Sequence, residues 1–231
     1  MLELENVNSF YGNSHILHDV SLSVAKGGFT AVIGRNGMGK TMLLKTIMGL
    51  TDRVRGKMVL GTHPLAELPT YRRAKAGLSY VPQGRDIVSQ FTVKENILMG
   101  CYARQDGKKV LPELVFDLFP YLKDNLNRRA GLLSGGQQQQ LAIARALASK
   151  PVVLLLDEPT EGIQPNIVEQ IEQAVVRLNQ EFGVTIILVE QNIALVQRAA
   201  QHFVMMNNGV IAARGEINQL SDDLVHQYMT V

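Results

Sequence analysis

Eight consecutive residues, 34–41, carry the first recognisable chemistry in this chain. They read Gly-Arg-Asn-Gly-Met-Gly-Lys-Thr and match the phosphate-loop pattern G-x-x-x-x-G-K-[ST]. In that pattern the glycines let backbone N–H groups face phosphates, Lys40 reaches the β- and γ-phosphates, and the Thr41 hydroxyl ligates Mg²⁺. A chance glycine-rich turn is the alternative, but a strand-like run precedes the pattern and a helical one follows. The segment therefore predicts a nucleoside triphosphate site.

Two acidic residues, Asp157 and Glu158, directly follow the apolar run 152–156. An aspartate at the carboxyl end of a buried strand, beside a phosphate loop, suits a magnesium ligand. The next carboxylate, Glu158, is then placed to take a proton from an attacking water. Acidic pairs at strand ends are also common on surfaces, and only the phosphate loop favours the functional interpretation.

A third segment, Ser134-Gly135-Gly136-Gln137, precedes a run with helical spacing in which Leu141, Ala144 and Leu147 share one side. Ser134 occupies the position of a helix N-cap, and the glycines allow an anion to approach the backbone closely. A helix N-terminus with free N–H groups binds anions, so a terminal phosphate is the expected ligand. By itself, the segment could be no more than a helix start.

These residues need a sheet and helices to position them, and the hydrophobic pattern supplies candidates. Residues 2–7 and 16–24 read as strands around a turn at 10–13, and 29–33 as a buried strand before the phosphate loop. A helix is predicted from Lys40 to about Gly49. Continuous apolar runs at 152–156 and 184–189 predict central strands joined by a helix at 166–181, and 207–209 predicts a hairpin turn.

The middle of the chain, residues 84–150, lacks long β-branched runs and reads as helices around 93–100, 112–119 and 136–149. We expect one domain, 1–231, with an α/β core at about 1–83 and 151–231 and an inserted helical subdomain at about 84–150. A chain of 231 residues is long enough for such a core.

Composition narrows the classes of partner. The net charge is +2, and the densest basic groups are 53–57 and 72–75, which we interpret as solvated surface, so no nucleic-acid partner is expected. Cys101 is the single cysteine and cannot form an internal disulfide. The N-terminus lacks a signal-peptide pattern and no apolar run could span a bilayer, which predicts a cytosolic protein that reaches membranes through partners.

Four motifs in a fixed order give the chain a resemblance to a known family. The phosphate loop, Gln83 in Tyr-Val-Pro-Gln-Gly, the Leu-Ser-Gly-Gly-Gln segment at 133–137, and the Leu-Leu-Leu-Asp-Glu-Pro-Thr segment at 154–160 all occur in family order. Along essentially its whole length the chain resembles the ATP-binding subunits of ABC transporters. The variants Gly-Arg-Asn-Gly-Met-Gly-Lys, Val-Pro-Gln-Gly-Arg-Asp and Asp-Glu-Pro-Thr-Glu-Gly-Ile-Gln-Pro resemble the urea and branched-chain amino acid importers, and the urea branch most.

The resemblance implies an α/β P-loop NTPase core, an N-terminal antiparallel β subdomain and the inserted helical subdomain. It implies that Tyr11 stacks on adenine, where the alternative is a turn aromatic, and that Gln83 contacts Mg²⁺ and the attacking water. The residues then expected to contact ATP are Tyr11, Gly34, Arg35, Asn36, Gly37, Met38, Gly39, Lys40, Thr41, Met42, Gln83, Ser134, Gly135, Gly136 and Gln137. The expected metal ligands are Thr41, Gln83 and Asp157. The expected catalytic residues are Lys40, Glu158 and Gln191.

Two positions depart from the general family pattern. Gln191 stands where most relatives have a histidine that contacts the γ-phosphate, and a glutamine can hydrogen-bond but cannot titrate. Gln164 stands where an aspartate is usual, and Val88-Ser89 where the subgroup tends to have Phe-Pro. Both glutamines resemble subgroup variants.

The resemblance implies an ATPase that powers solute import, with urea as the first expectation. Two copies, or one copy with a related ATP-binding subunit, would sit beneath membrane permeases at the cytoplasmic face of the bacterial inner membrane, served by an extracytoplasmic solute-binding protein. Ser134, Gly135 and Gly136 would contact the γ-phosphate held by the other subunit. The alternatives are import of branched-chain amino acids or short-chain amides, a soluble non-transport ABC ATPase, and a catalytically weak regulatory subunit.

Overall fold

A computed structural model describes residues 1–229, and over that range the strands form two sheets. The strands are β1 (Leu2–Tyr11), β2 (Ser14–Val24), β3 (Phe29–Ile33), β4 (Arg53–Leu60), β5 (His63–Pro64), β6 (Leu78–Val81), β7 (Val153–Asp157), β8 (Thr185–Val189), β9 (His202–Asn207) and β10 (Val210–Glu216). The first sheet is antiparallel, with the order β2-β1-β4-β5.

The second sheet has the order β10-β9-β3-β8-β7-β6 and is parallel except for β10. Because parallel strands run in one direction, the carboxyl ends of β3, β8, β7 and β6 lie along one edge. Every residue of β3, β7 and β8 is buried, which explains the continuous apolar runs in the sequence. The chain therefore brings four strand-to-loop junctions to one place.

The helices surround this mixed sheet. They are α1 (Lys40–Met48), α2 (Thr70–Lys75), α3 (Val93–Gly100), α4 (Glu113–Leu118), α5 (Pro120–Asp124), α6 (Gly135–Leu147), α7 (Pro165–Gln180), α8 (Ile193–Ala199) and α9 (Asp222–Met229). Within residues 1–229, none of these helices combines the length and the apolar character that a membrane crossing requires.

Alternate residues of the central strands enter two apolar clusters. On β7, Leu154 and Leu156 pack into a cluster with side chains of α3, α6, α7 and α8. Val153 and Leu155 point the other way, into a cluster shared with α1 and the antiparallel sheet. Burying a leucine side chain contributes roughly 1.5–3 kcal/mol, so this two-sided packing holds the edge of the sheet in place.

Most of the predicted elements are confirmed, including the α/β fold, the antiparallel N-terminal sheet, the helix that stops before Gly49 and the Asn208-Gly209 hairpin. The turn predicted at 10–13 was partly wrong, because Phe10 and Tyr11 pair with His15 and Ser14 as the end of β1. Helices α2, α5, α8 and α9 and strands β4, β5 and β6 were not predicted. Helices α2 and α5 have six residues or fewer, too few to show a clear helical periodicity. The division of the domain near 84 and 150 stays a prediction.

Arg73 corrects the interpretation of residues 72–75 as solvated surface. Its side chain is buried, and its guanidinium donates to the carbonyls of Thr46 (2.8 Å) and Ile47 (2.9 Å) in the last turn of α1. It also donates to the carbonyls of Leu68 (2.8 Å) and Ala66 (3.0 Å). The last carbonyls of a helix have no partner inside the helix, and a cation at that end also favours the helix dipole. Arg73 therefore fixes the end of the helix that the phosphate loop begins.

We expect Arg73→Ala to destabilise the fold by about 3 kcal/mol or more, because it leaves several buried carbonyls without a donor. The free energy of unfolding in urea measures the effect. Arg72→Ala is the matched control, since Arg72 is exposed and its Nε donates only to the Tyr71 hydroxyl, so a change below about 0.5 kcal/mol is expected. Equal losses for the two variants would contradict the bracing role of Arg73.

Candidate active site

The phosphate loop joins the carboxyl end of β3 to the first turn of α1. Gly34 has a φ of 148° and lies so close to β9 that a Cβ there would come within 2.5 Å of the Met206 carbonyl oxygen. Only glycine fits such a position, which explains the first glycine of the pattern. Gly39 precedes α1 without a side-chain cap, so the first N–H groups of the helix remain available to an anion.

Lys40 is buried inside this loop. Its Nζ donates to the carbonyl oxygens of Gly34 (2.7 Å) and Arg35 (2.9 Å) and lies 3.6 Å from the Glu158 carboxylate. The ammonium group is thus held by loop atoms at the point where the sheet edge meets the loop. The aliphatic part of the Lys40 side chain already lies within the loop, so the ammonium group is close to any phosphate that the loop binds.

Asp157 is the last residue of β7 and is completely buried. Its carboxylate accepts hydrogen bonds from the Thr41 hydroxyl (3.0 Å) and from the Tyr80 hydroxyl (3.0 Å). Burial raises the pKa of Asp157, and the two hydroxyl donors offset part of that rise. Burial, together with the neighbouring Asp157 charge, also raises the pKa of Tyr80, which keeps that phenol a donor.

Glu158 occupies a left-handed backbone conformation, with φ 45° and its N–H donating to the Val189 carbonyl (2.9 Å). Non-glycine residues rarely adopt this region, and they do so most often at turns and functional sites. The conformation directs the carboxylate to the sheet edge, where Oε1 accepts from the Gln191 amide (2.8 Å) near Lys40.

Gln191 and Gln83 approach the same carboxylate from two other strand ends. The Gln191 amide also donates to Asn36 Oδ1 in the phosphate loop (2.9 Å). The Gln83 amide lies 3.5 Å from Glu158 Oε2 and donates to Glu161 (2.6 Å). The loops after β3, β6, β7 and β8 therefore meet through one small polar network around Glu158.

The Ser134–Gln137 segment lies elsewhere, at the start of α6. Ser134 is the N-cap, and it forms a reciprocal capping box in which the Gln137 N–H donates to Ser134 Oγ and the Ser134 N–H donates to Gln137 Oε1. Gly136 is packed so closely against Ile167 that a Cβ would meet it at 2.6 Å. Among residues 1–229, no hydrogen bond joins this segment to the phosphate loop.

Tyr11 stands at the open end of β1 and is 60% exposed, with its ring free to stack on a planar ligand. Behind it, Phe10 stacks on His15 at 4.3 Å and carries the Arg53 guanidinium at 4.1 Å. The other predicted contact residues are in place around the loop: Arg35 offers a carbonyl to Lys40, Met38 and Met42 pack against the apolar cluster, and Gly37 is in the loop turn.

Sequence reasoning missed three residues that hold this network, namely Tyr80, Glu161 and Glu190. Tyr80 had a usable signal, since it is the last but one residue of β6, three residues before Gln83, and a strand paired with β7 must bring its end close to Asp157. Glu161 and Glu190 are acidic residues in loops, and nothing local in the sequence distinguishes them from surface residues. Their contacts depend on the pairing of β7 with β8.

The sequence and the fold both match known proteins. Residues 17–161 match the family model described as ABC transporter. The high-affinity branched-chain amino acid transport ATP-binding protein BraG of Pseudomonas aeruginosa is 42% identical over 212 residues, which cover 91% of each chain. The probable branched-chain amino acid transport ATP-binding protein LivF of Archaeoglobus fulgidus is 37% identical over 221 residues, covering 95% of this chain and 94% of LivF.

Two solved structures share the fold over nearly the whole chain. The ATP-binding cassette MJ0796, as a dimer in a post-hydrolysis state bound to ADP and Pi, has a TM-score of 0.82 at 26% identity and covers 94% of this chain and 99% of its own. The ADP conformation of the cassette MJ1267 has a TM-score of 0.81 at 31% identity, with 98% and 97% covered. The chain belongs to the ABC transporter family, as one of its ATP-binding subunits that hydrolyse ATP.

Proposed function

We propose that this chain is the ATP-hydrolysing subunit of an importer for branched-chain amino acids. The names of its relatives BraG and LivF support this solute, with 42% and 37% identity over more than nine-tenths of the chain. They support it better than urea, the solute first expected from the sequence. Urea and short-chain amides are retained as alternatives that the transport experiment below distinguishes.

The position of Glu158 is the observation that carries the ATPase mechanism. Its carboxylate lies at the end of β7, 3.6 Å from Lys40 Nζ and 2.8 Å from the Gln191 amide nitrogen. A general base must lie close to the phosphate whose attacking water it deprotonates. A carboxylate beside the phosphate-loop lysine meets that requirement.

ATP would bind along the edge that these loops form. Tyr11 stacks on the adenine ring, and the N–H groups of residues 36–42 face the phosphates, where the start of α1 favours negative charge. Lys40 exchanges the carbonyls of Gly34 and Arg35 for phosphate oxygens. Gln191 leaves Asn36 to donate to the γ-phosphate, and it cannot carry a proton as a histidine would.

The residues at Asp157 fit a divalent cation. A hydroxyl and a carboxylate oxygen 3.0 Å apart are ligand types that Mg²⁺ prefers. Gln83 contacts Glu158 and Glu161 through its amide nitrogen, so its amide would have to turn to present the oxygen to a cation. Asp157 is a buried carboxylate with no ion pair among the described residues, so a cation would offset the cost of its burial. Bound Mg²⁺ would neutralise phosphate charge beside Thr41 and Asp157.

Hydrolysis then requires Glu158 to accept a proton from water aligned with the γ-phosphate, while Lys40 and the loop N–H groups stabilise the charge that develops. Ser134, Gly135 and Gly136 would complete the site of a second subunit, since within residues 1–229 they form no hydrogen bond with the phosphate loop of their own chain. The solved dimer of a similar cassette, bound to ADP and Pi, supports such an arrangement. An isolated monomer should therefore turn over slowly.

A membrane partner is supported by an apolar groove of about 450 Å³ between α1, α2, α3 and α6. Its rim exposes Leu50, Tyr71, Met99 and Tyr102. Tyrosine and methionine are residue types enriched at protein interfaces, and a contiguous exposed apolar patch often marks one. We assign this groove to a cytoplasmic segment of the permease. That partner places the subunit at the cytoplasmic face of the inner membrane, with a solute-binding protein on the other side.

We expect Glu158→Gln to lower ATP turnover at least about 100-fold while ATP binding is retained, because the amide fills the same space but accepts no proton. Phosphate release measures turnover, and gel filtration with ATP detects the dimer that the variant should trap. Glu181→Gln is the control, since Glu181 pairs with Arg177 on the surface of α7. Undiminished turnover in Glu158→Gln would remove this residue from the mechanism. Negligible turnover in the unmodified chain, under conditions where gel filtration shows the dimer, would favour the regulatory alternative.

We expect Tyr11→Ala to weaken ATP binding about tenfold, because stacking on a base is worth roughly 1–3 kcal/mol. Turnover at saturating ATP should change less than the affinity does. Tyr11→Phe retains the ring and should restore most of the affinity, as measured by titration with a fluorescent ATP analogue. Equal affinity in all three proteins would return Tyr11 to a structural role.

Deleting the gene in the organism that encodes it should abolish uptake of radiolabelled leucine and leave urea and acetamide uptake intact. The intact gene should restore leucine uptake, whereas Glu158→Gln should not, because transport needs turnover. Loss of urea uptake alone would instead establish the urea alternative. If no uptake is lost and no permease copurifies with the chain, a soluble ABC ATPase is indicated.

A further inference from the structure

Glu190 is a buried acidic residue that the proposed mechanism does not use. It directly follows β8 at the sheet edge and is 4% exposed. Within the described part of the chain its carboxylate has no cation partner. A buried carboxylate of this kind is tolerated only when other donors satisfy its oxygens.

Its two carboxylate oxygens contact two different loops. Oε1 accepts a hydrogen bond from the Thr160 hydroxyl, in the loop after β7. Oε2 accepts from the backbone N–H groups of Gln191 (2.9 Å) and Asn192 (3.2 Å), in the loop after β8. The Glu190 N–H donates to the Val32 carbonyl of β3 (3.2 Å), so the bridging residue is itself anchored to the sheet.

Each of these loops carries groups that meet at Glu158. Thr160 lies between Glu158 and Glu161, the residue that accepts from Gln83. Gln191 is the residue whose backbone Glu190 holds and whose side chain spans Asn36 and Glu158. The Glu190 carboxylate therefore links the loop of the general base, Glu158, to the loop of Gln191, and so fixes the distance between these two side chains. A shift of about 1 Å in such groups lowers catalytic rates strongly.

We propose that Glu190 is a positioning residue for ATP hydrolysis, tying the loop of Gln191 to the loop of Glu158 through Thr160. This inference rests on the proposed function, because it acts through the roles given to those two side chains. It predicts that loss of the bridge lowers kcat for ATP and leaves ATP affinity nearly unchanged, since none of its contacts is with the phosphate loop or Tyr11.

The test compares substitutions that remove the bridge with ones that keep it. Glu190→Met and Thr160→Val preserve size but lose the link between the loops. Glu190→Gln and Thr160→Ser keep groups that can form the link between the loops. The glutamine amide can accept from the two backbone N–H groups and donate to the Thr160 hydroxyl, and serine keeps the hydroxyl. Glu172→Gln is the control for loss of a carboxylate, since Glu172, on α7, pairs with Arg198 of α8, away from the sheet edge. The full chain is measured with Mg-ATP.

We expect Glu190→Met to lower kcat about tenfold or more with KM and ATP affinity within about threefold, and Thr160→Val to lower kcat about threefold. Glu190→Gln and Thr160→Ser should recover most of the loss. In a Gln191→Ala background, Glu190→Met should cost much less than it does alone, because part of its effect passes through Gln191. A purely structural role would lower thermal stability without this kcat pattern.

Two results distinguish a failure of the positioning role of Glu190 from a failure of the proposed role of Glu158. If Glu158→Gln abolishes turnover while Glu190→Met and Thr160→Val keep kcat within twofold, the positioning role is overturned and the ATPase assignment stands. If Glu158→Gln leaves turnover intact, the proposed role of Glu158 as general base is overturned, and the positioning role that rests on it is overturned with it. Should Glu190→Met fail to fold, full activity of Thr160→Val would still refute the bridge, and a reduced kcat rescued by Thr160→Ser would support it.

Discussion

Parallel pairing of β3, β8, β7 and β6 is the constraint on which the rest of this molecule depends. Parallel strands end on the same side of the sheet. The loops that follow these four strands therefore converge at one edge, although the strands are far apart in sequence. The two-sided burial of β7 and β8 holds their register, which places Asp157 opposite Val189. With a slipped register, Glu158 and Gln191 would not share a hydrogen bond, and the phosphate loop would face a different set of side chains.

Neutral hydrogen-bond donors satisfy many of the carboxylate oxygens at this edge of the sheet. Asp157 is held by two hydroxyls, and Glu190 by one hydroxyl and two backbone N–H groups. Of these three carboxylates, Glu158 is the one that forms an ion pair among residues 1–229, with Lys40, whose own hydrogen bonds go to loop carbonyls. In the structure described here the network closes on itself, and a phosphate with its cation would offer Lys40, Gln191 and Asp157 new partners. That exchange would couple nucleotide binding to loop geometry.

Two arginines, the buried Arg73 and the half-buried Arg145, brace helices α1 and α6. Arg73 holds the end of α1, and Arg145, from the last turn of α6, donates to the carbonyls of Arg85 and Asp86 just beyond Gln83. Arg85 and Asp86 both have positive φ, so this contact stabilises an uncommon backbone path. The Arg85 guanidinium packs on Gly135, where a Cβ would come within 3.0 Å of it and the guanidinium would have to shift. The segment after Gln83 and the start of α6 are thus physically joined.

The sequence by itself determined the fold class, most element positions, and the residues of the phosphate loop, because these depend on local periodicity and on motifs a few residues long. It also indicated the ATP-binding subunit through the order of its motifs. Tertiary structure decided that Arg73 is buried, that Tyr80 reaches Asp157, and that Glu190 bridges to Thr160. Those contacts join residues that are far apart in sequence, and only the pairing of strands and packing of helices bring them within hydrogen-bonding distance.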